Sequence, residues 1–167
     1  RFTEAARAEC ALQAVEAGVR WVHLRDHDAS DAAFHEAAVD LNERIASIDA
    51  HVRVSVNQRL NVARRMCLDY HGGTHGCGVD VARERLGSDA VIGFSAHEQE
   101  EVTGPREARV DYYFFSPALG GITPARVGSC LQAGAHGVAV LSGIMDASDP
   151  ARSARAYLRR VPSADER

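Results

Sequence analysis

Apolar residues recur along this chain in two rhythms that alternate with each other. Stretches with apolar positions three and four apart read as helices, and short β-branched or aromatic runs between them read as strands. An Ala- and Glu-rich helix is predicted over Thr3 to Ala17 and stops at Gly18. VRWVHLR at 19–25 reads as a strand. A helix with Ser30 or Asp31 as cap runs to about Ile48, placing Phe34, Ala38 and Leu41 on one face. VRVSVN at 52–57 alternates strictly and reads as a strand, and 60–68 as a short helix. YHGGTHGCG at 70–78 is a Gly-rich strand or loop, followed by a helix over 79–87 and a strand over 90–97. The stretch from His97 is a poor helix, broken by Gly104 and Pro105. A strand over 110–117 ends at Pro117. Thr123 and Pro124 open a helix that Gly134 stops, a last strand spans 136–144, and Asp149 and Pro150 open a last helix.

Strands that each feed a helix argue for a parallel α/β fold. The chain has 167 residues. A chain of this size buries about two-thirds of its unfolded surface, enough for one core, so residues 1–167 are expected to form a single domain. Apolar residues make up 46% and charged residues 25%, which excludes a disordered polar chain. The net charge is −4 and every basic residue other than histidine is Arg. That balance speaks against a nucleic-acid binder. The four cysteines form no CxxC pair; free thiols in a reducing, cytoplasmic setting are expected, although an even count leaves disulfides open. No apolar run of about 18 residues predicts a membrane span. The first residues, RFTEAARAEC, lack the apolar stretch of a signal peptide and an initiator Met, so the chain is expected to begin inside a longer product.

In parallel α/β folds the loops after the strands converge, so polar residues at strand C-termini form the site. The candidates are Arg25, Asn57, His75, Ser95, Ser116 and Ser142. His71, His75 and Cys77 offer zinc-type donors at short spacing, but a fourth would have to come from afar. Arg64, Arg65, Arg83 and Arg85 sit among acidic neighbours and read as solvated helix faces. No P-loop, dinucleotide fingerprint, nucleophile elbow or HExxH is present.

Several segments, in order, resemble thiamine phosphate synthase and its thiazole tautomerase relatives. They are EAGVRWVHLRDHD at 16–28, VSVNQRLNVA at 54–63, GGTHG at 72–76, LGSDAVIGFSAH at 86–97, VDYYFFSP at 110–117 and ALGGITPARVGSCLQAGAHGVAVLSGI at 118–144. The resemblance covers most of the chain. It implies a (β/α)₈ (TIM) barrel that uses Mg²⁺ to join a pyrimidine diphosphate to a thiazole phosphate. Measured against that pattern, segments are missing. The first strand is absent, and the loop after His75 is short. Pro117 runs straight into Ala118, where the family carries a Thr-Pro-Thr-Lys loop, a helix and most of a strand.

The resemblance also implies roles. Arg25 stands where the family clamps diphosphate, as suits an Arg at a strand end, with a surface pairing to Asp26 or Asp28 as the alternative. His27 replaces a Lys. His23 replaces a Gln that contacts the pyrimidine, or serves as a core histidine. Asn57 and Gln58 replace an Asn-Asp pair whose Asp ligates magnesium. Asp80 is the remaining carboxylate for the metal, unless it caps its helix. His75 aligns with a barrel-facing His, and Ser95 with a serine near the reacting diphosphate. Phe114 and Ser116 stand where the family has Gly. Gly120 and Gly121, with Ser142 and Gly143, resemble the phosphate site after the last two strands. The expected activity is transfer of hydroxymethylpyrimidine to thiazole phosphate, giving thiamine phosphate, in full or impaired form. A non-catalytic phosphate-ligand binder and a tautomerase-like isomerase are the alternatives; against the isomerase, Ser116 and Pro117 occupy the place of its histidine. The expected partner is a small phosphorylated molecule, not a nucleic acid or a membrane, with homo-oligomerisation open.

Overall fold

The computed structural model describes residues 4–73, 76–98, 110–115 and 121–162. Five parallel strands form one sheet in the order β1-β2-β3-β4-β5: β1 (Trp21–Leu24), β2 (Arg53–Asn57), β3 (Asp69–Gly72), β4 (Ile92–Ala96) and β5 (Tyr112–Phe115). Around it run α1 (Ala5–Glu16), α2 (Asp31–Ile48), α3 (Leu60–Met66), α4 (Val79–Leu86), α5 (Pro124–Gln132), α6 (Ser142–Met145) and α7 (Pro150–Leu158). This is an α/β fold, a five-stranded parallel half-barrel with flanking helices, and so an incomplete (β/α)₈-like barrel.

Period-two alternation sends Val22, Leu24, Val54, Val56, Tyr70, Ile92 and Phe94 to the convex face of the sheet. There they meet Phe34, Ala38, Leu41 and Ile45, the single apolar stripe of α2, together with Val62 and Ala63 of α3. Ser30 caps α2 by accepting from the Ala33 N–H. Helix α1 has two buried sides. Ala8, Leu12 and Val15 face this main cluster, while Ala14 enters a smaller one built from Val127, Ile144, Ala154 and Tyr157. One helix therefore ties residues 121–162 to the sheet. Gly18 follows α1 at φ +109°, a conformation open to glycine and costly to other residues.

Some expectations need correction. Residues 136–144 form no strand: 137–140 are irregular and Ser142–Met145 is a short helix. A strand needs a neighbour's backbone to bond. Here the alternating Val138 and Val140 instead pack their side chains onto the smaller cluster. Thr123 occupies the N-cap position of α5 without a side-chain cap bond, whereas Asp149 caps α7 by accepting from Arg152 N–H. Arg83 is no solvated charge. Its guanidinium donates to the Ala90 carbonyl and pairs with Asp111 at 2.8 Å, joining α4 to the start of β5. The weak helix expected after His97 falls largely at 99–109, outside the described residues. Among the described residues no helix is long and apolar enough to cross a membrane.

Candidate active site

Because all strand pairs are parallel, their C-terminal ends share one rim. The concave face carries the alternate residues: Trp21 and His23, then Ser55 and Asn57, then His71, then Ser95, then Tyr112 and Phe114. Their contacts form a continuous polar and aromatic layer. The Trp21 indole N–H donates to Ser55 Oγ at 3.0 Å, and His23 Nδ1 lies 2.9 Å from the same oxygen. His71 is held on both sides, with Nδ1 3.1 Å from the Tyr112 hydroxyl and Nε2 3.0 Å from Ser95 Oγ. Phe114 closes the layer, its ring centroid 4.4 Å from His71 and 5.4 Å from His23.

Tight curvature makes this layer. Trp21 and Tyr112 stand on the first and fifth strands, yet their ring centroids are 4.7 Å apart. Tyr112 reaches inward by lying over Gly93, its register partner on β4; a Cβ there would fall 2.0 Å from the ring.

Both imidazoles are neutral at physiological pH. Burial, and then the positive charge of Arg25, depress His23 to about 4, although a bond with Asn57 pulls the other way. Burial, followed by His23 and Arg25, depresses His71 to about 3. Burial raises the Tyr112 phenol above its ordinary value, so it stays protonated.

At the rim, Arg25 lies one residue beyond β1 and is exposed. Its Nε donates to His27 Nε2 at 2.7 Å, and the alternative pairing with Asp26 or Asp28 is not the contact it makes. The loop between β1 and α2 is pinned from below by Arg59. Its guanidinium donates to the carbonyls of Asp26 at 2.9 Å and Ala29 at 2.6 Å, pairs with Asp31 and lies over Phe34. Asn57 ends β2, and Ser95 is the penultimate residue of β4.

The remaining candidates stand differently. His75, Ser116 and Gly120 lie outside the described residues. The histidine that β3 puts on the concave face is His71. Ser142 opens α6 instead of ending a strand. Gly121 has φ +61°, and its carbonyl accepts from Arg126. Gly143 is small because a Cβ would fall 2.1 Å from the Tyr157 hydroxyl, which donates to the Ile122 carbonyl at 2.8 Å. Ser153 donates to the Gly143 carbonyl. Helix α7 thus anchors both glycine-containing loops.

A family model for thiamine monophosphate synthase matches residues 1–119. The chain belongs to that family. It is 30% identical over 182 residues to the thiamine-phosphate synthase of Natronomonas pharaonis, covering 89% of this chain and 84% of that one. It is 30% identical over 181 residues to the Psychrobacter thiamine-phosphate synthase, covering 87% and 84%. In fold it is similar to the thiamine phosphate pyrophosphorylase of Pyrococcus furiosus, with TM-score 0.81, 21% identity and coverage of 92% and 88%. A 3-hexulose-6-phosphate synthase shares the fold at TM-score 0.67 and 14% identity, over 94% of each chain.

The described residues of this thiamine monophosphate synthase family member do not fit a magnesium centre. Magnesium takes six oxygens and usually one or two carboxylates. Asp80 is exposed in the first turn of α4. Gln58 is neutral, and its amide lies over Gly73, where a Cβ would fall 2.6 Å from Nε2. Asp26, though buried, accepts from the backbone N–H groups of Asp28 and Ala29. Asp69 is held by Arg53 at the opposite end of the sheet. Among the described residues no three His, Cys, Asp or Glu side chains are grouped to share an ion; the zinc reading includes His75, which lies outside the described residues.

Sequence reasoning passed over Arg59 and Tyr112 and did not place His71 at the rim. Tyr112 has a sequence correlate in its pairing with a glycine, but that pairing depends on register.

Proposed function

We propose that this chain joins hydroxymethylpyrimidine diphosphate to thiazole phosphate at the C-terminal rim of its half-barrel. The observation that carries the reading is the meeting of Arg25, Asn57 and Ser95 from three strands around His23 and His71, in a chain of this family. In the reaction the thiazole nitrogen uses its lone pair to form a bond to the exocyclic methylene carbon of the pyrimidine. The carbon–oxygen bond to diphosphate breaks, and the diphosphate leaves with that electron pair. Thiamine phosphate and diphosphate are the products, and no proton need be removed from either substrate.

Such a step asks for little base catalysis and much stabilisation of a departing anion. Two neutral imidazoles suit the first condition. Arg25 supplies positive charge, while the Asn57 amide and Ser95 hydroxyl supply neutral donors. Gly121 and the loop at Ser142 and Gly143 are the proposed contacts for the thiazole phosphate. Incubation of both substrates with the protein, followed by quantification of thiamine phosphate and diphosphate in equal amounts, tests the reading.

A second reading follows from Phe114, whose ring takes up concave-face space against both histidines. With that space filled, the chain would bind a phosphorylated ligand without turning it over. Thiamine phosphate binding with no product formation would favour this reading.

A further inference from the structure

Tyr112, His71 and Ser95 lie in one hydrogen-bonded line that crosses three neighbouring strands, β5, β3 and β4. The line runs from the centre of the concave layer to the rim. His71 is only 1% exposed, and Ser95 at the far end is half-buried. A neutral imidazole has one N–H and one lone pair, so its two bonds must run in the same sense. A phenol is a stronger donor and a weaker acceptor than an aliphatic hydroxyl. The Tyr112 hydroxyl therefore donates to the His71 Nδ1 lone pair, which leaves the N–H on Nε2, facing Ser95.

We propose that His71 is a positioning residue: it accepts from Tyr112 at Nδ1 and donates from Nε2 to Ser95. The Ser95 hydroxyl is thereby left to donate its own proton to an anionic phosphate oxygen at the rim. The target rests on the functional reading above, in which diphosphate departs there; the polarity of the line does not. In this arrangement Ser95 is a fixed donor and not a nucleophile, because its proton acceptor is turned away. Tyr112 sets that orientation from two residues away in the chain of bonds. Its hydroxyl contributes to anion binding without touching the anion.

The test has two arms. The first is a long-range proton–nitrogen correlation spectrum of histidine-labelled, ligand-free protein, with His71 assigned through its ring contacts to Tyr112 and Phe114. The expected result is protonated Nε2 and bare Nδ1, changing to a mixture of tautomers in Tyr112→Phe, which keeps the ring and removes the hydroxyl. A proton on Nδ1 in the unaltered protein would overturn the inference. The second arm is calorimetry with inorganic diphosphate. Tyr112→Phe is expected to weaken binding about three- to tenfold in the unaltered background and to have no effect in Ser95→Ala. Equal effects in both backgrounds would mean that Tyr112 acts only through packing, which overturns the inference. Absence of diphosphate binding by the unaltered protein would instead overturn the functional reading, while the spectra, recorded without ligand, still decide the polarity.

Discussion

Trp21 and Tyr112 meet edge to face, 4.7 Å between ring centroids and 68° between planes, although three strands separate theirs in the sheet. The five strands are curved enough for the side chains of the first and last to touch. The interior of the half-barrel is therefore a packed layer, and the candidate chemistry sits at its rim.

That packing depends on Gly93. Gly93→Ala would place a methyl 2.0 Å from the Tyr112 ring and force the ring aside. Overpacking of this kind costs about 1–3 kcal/mol. Urea denaturation is expected to show that loss, together with altered Trp21 fluorescence. A variant with unchanged stability and emission would mean that Tyr112 does not lie over Gly93.

The buried histidines give acid sensitivity. In the unfolded chain both take up protons near pH 6.5, while in the folded chain they do so near 4 for His23 and near 3 for His71. Between those limits the unfolded chain binds more protons, so stability falls as pH falls below 6.5. Each histidine contributes at most about 1.4 kcal/mol per pH unit. Denaturant midpoints measured from pH 7 to 4 should follow that slope, and His71→Gln should reduce it by about half. A flat profile in the unaltered protein would contradict neutral burial.

Asp69 anchors the opposite end of the sheet. It accepts from Arg53 through two bonds, 2.8 and 3.0 Å long, and from the Val91 N–H at 3.0 Å. Asp69→Ala leaves that N–H and the guanidinium without their acceptor and should cost about 2–4 kcal/mol. Thermal melting would register the loss; an unchanged melting temperature would show the bonds to be energetically idle.

Much of this architecture was legible because its local signals agree. Phe34, Ala38 and Leu41 fall at helical spacing, Ser30 caps that helix, and VRVSVN alternates. The stretch at 136–144 misled because valines two apart suit both a strand and an extended segment lying on a helical cluster; only a partner strand tells them apart. Arg25, Asn57 and Ser95 were readable as strand-end residues, whereas His23 came only with the family resemblance. His71 was harder, since glycines on both sides of His75 erase the alternation that would fix which histidine faces inward. Tyr112 was invisible as a site residue because its reach over Gly93 follows from sheet register and curvature, which local sequence does not encode.

Gln58 bears on the metal. It stands at φ +57°, a conformation that Asn and Asp tolerate better than most residues, so Gln58→Asp should fold. The unaltered protein is expected to bind Mg²⁺ no tighter than the millimolar range in a titration with diphosphate present, and the Asp variant to bind it more tightly. Submillimolar affinity in the unaltered protein, or no change in the variant, would show that the metal position has been misplaced.

The most direct measurement is the reaction itself. Both substrates are mixed with the unaltered protein and with Arg25→Ala, and thiamine phosphate and diphosphate are quantified over time. The expected result is equal release of the two products, at least about tenfold slower in the variant, from loss of the charge at the rim. Absence of product with the unaltered protein, while it still binds thiamine phosphate, would contradict catalysis and leave a phosphate-ligand-binding protein.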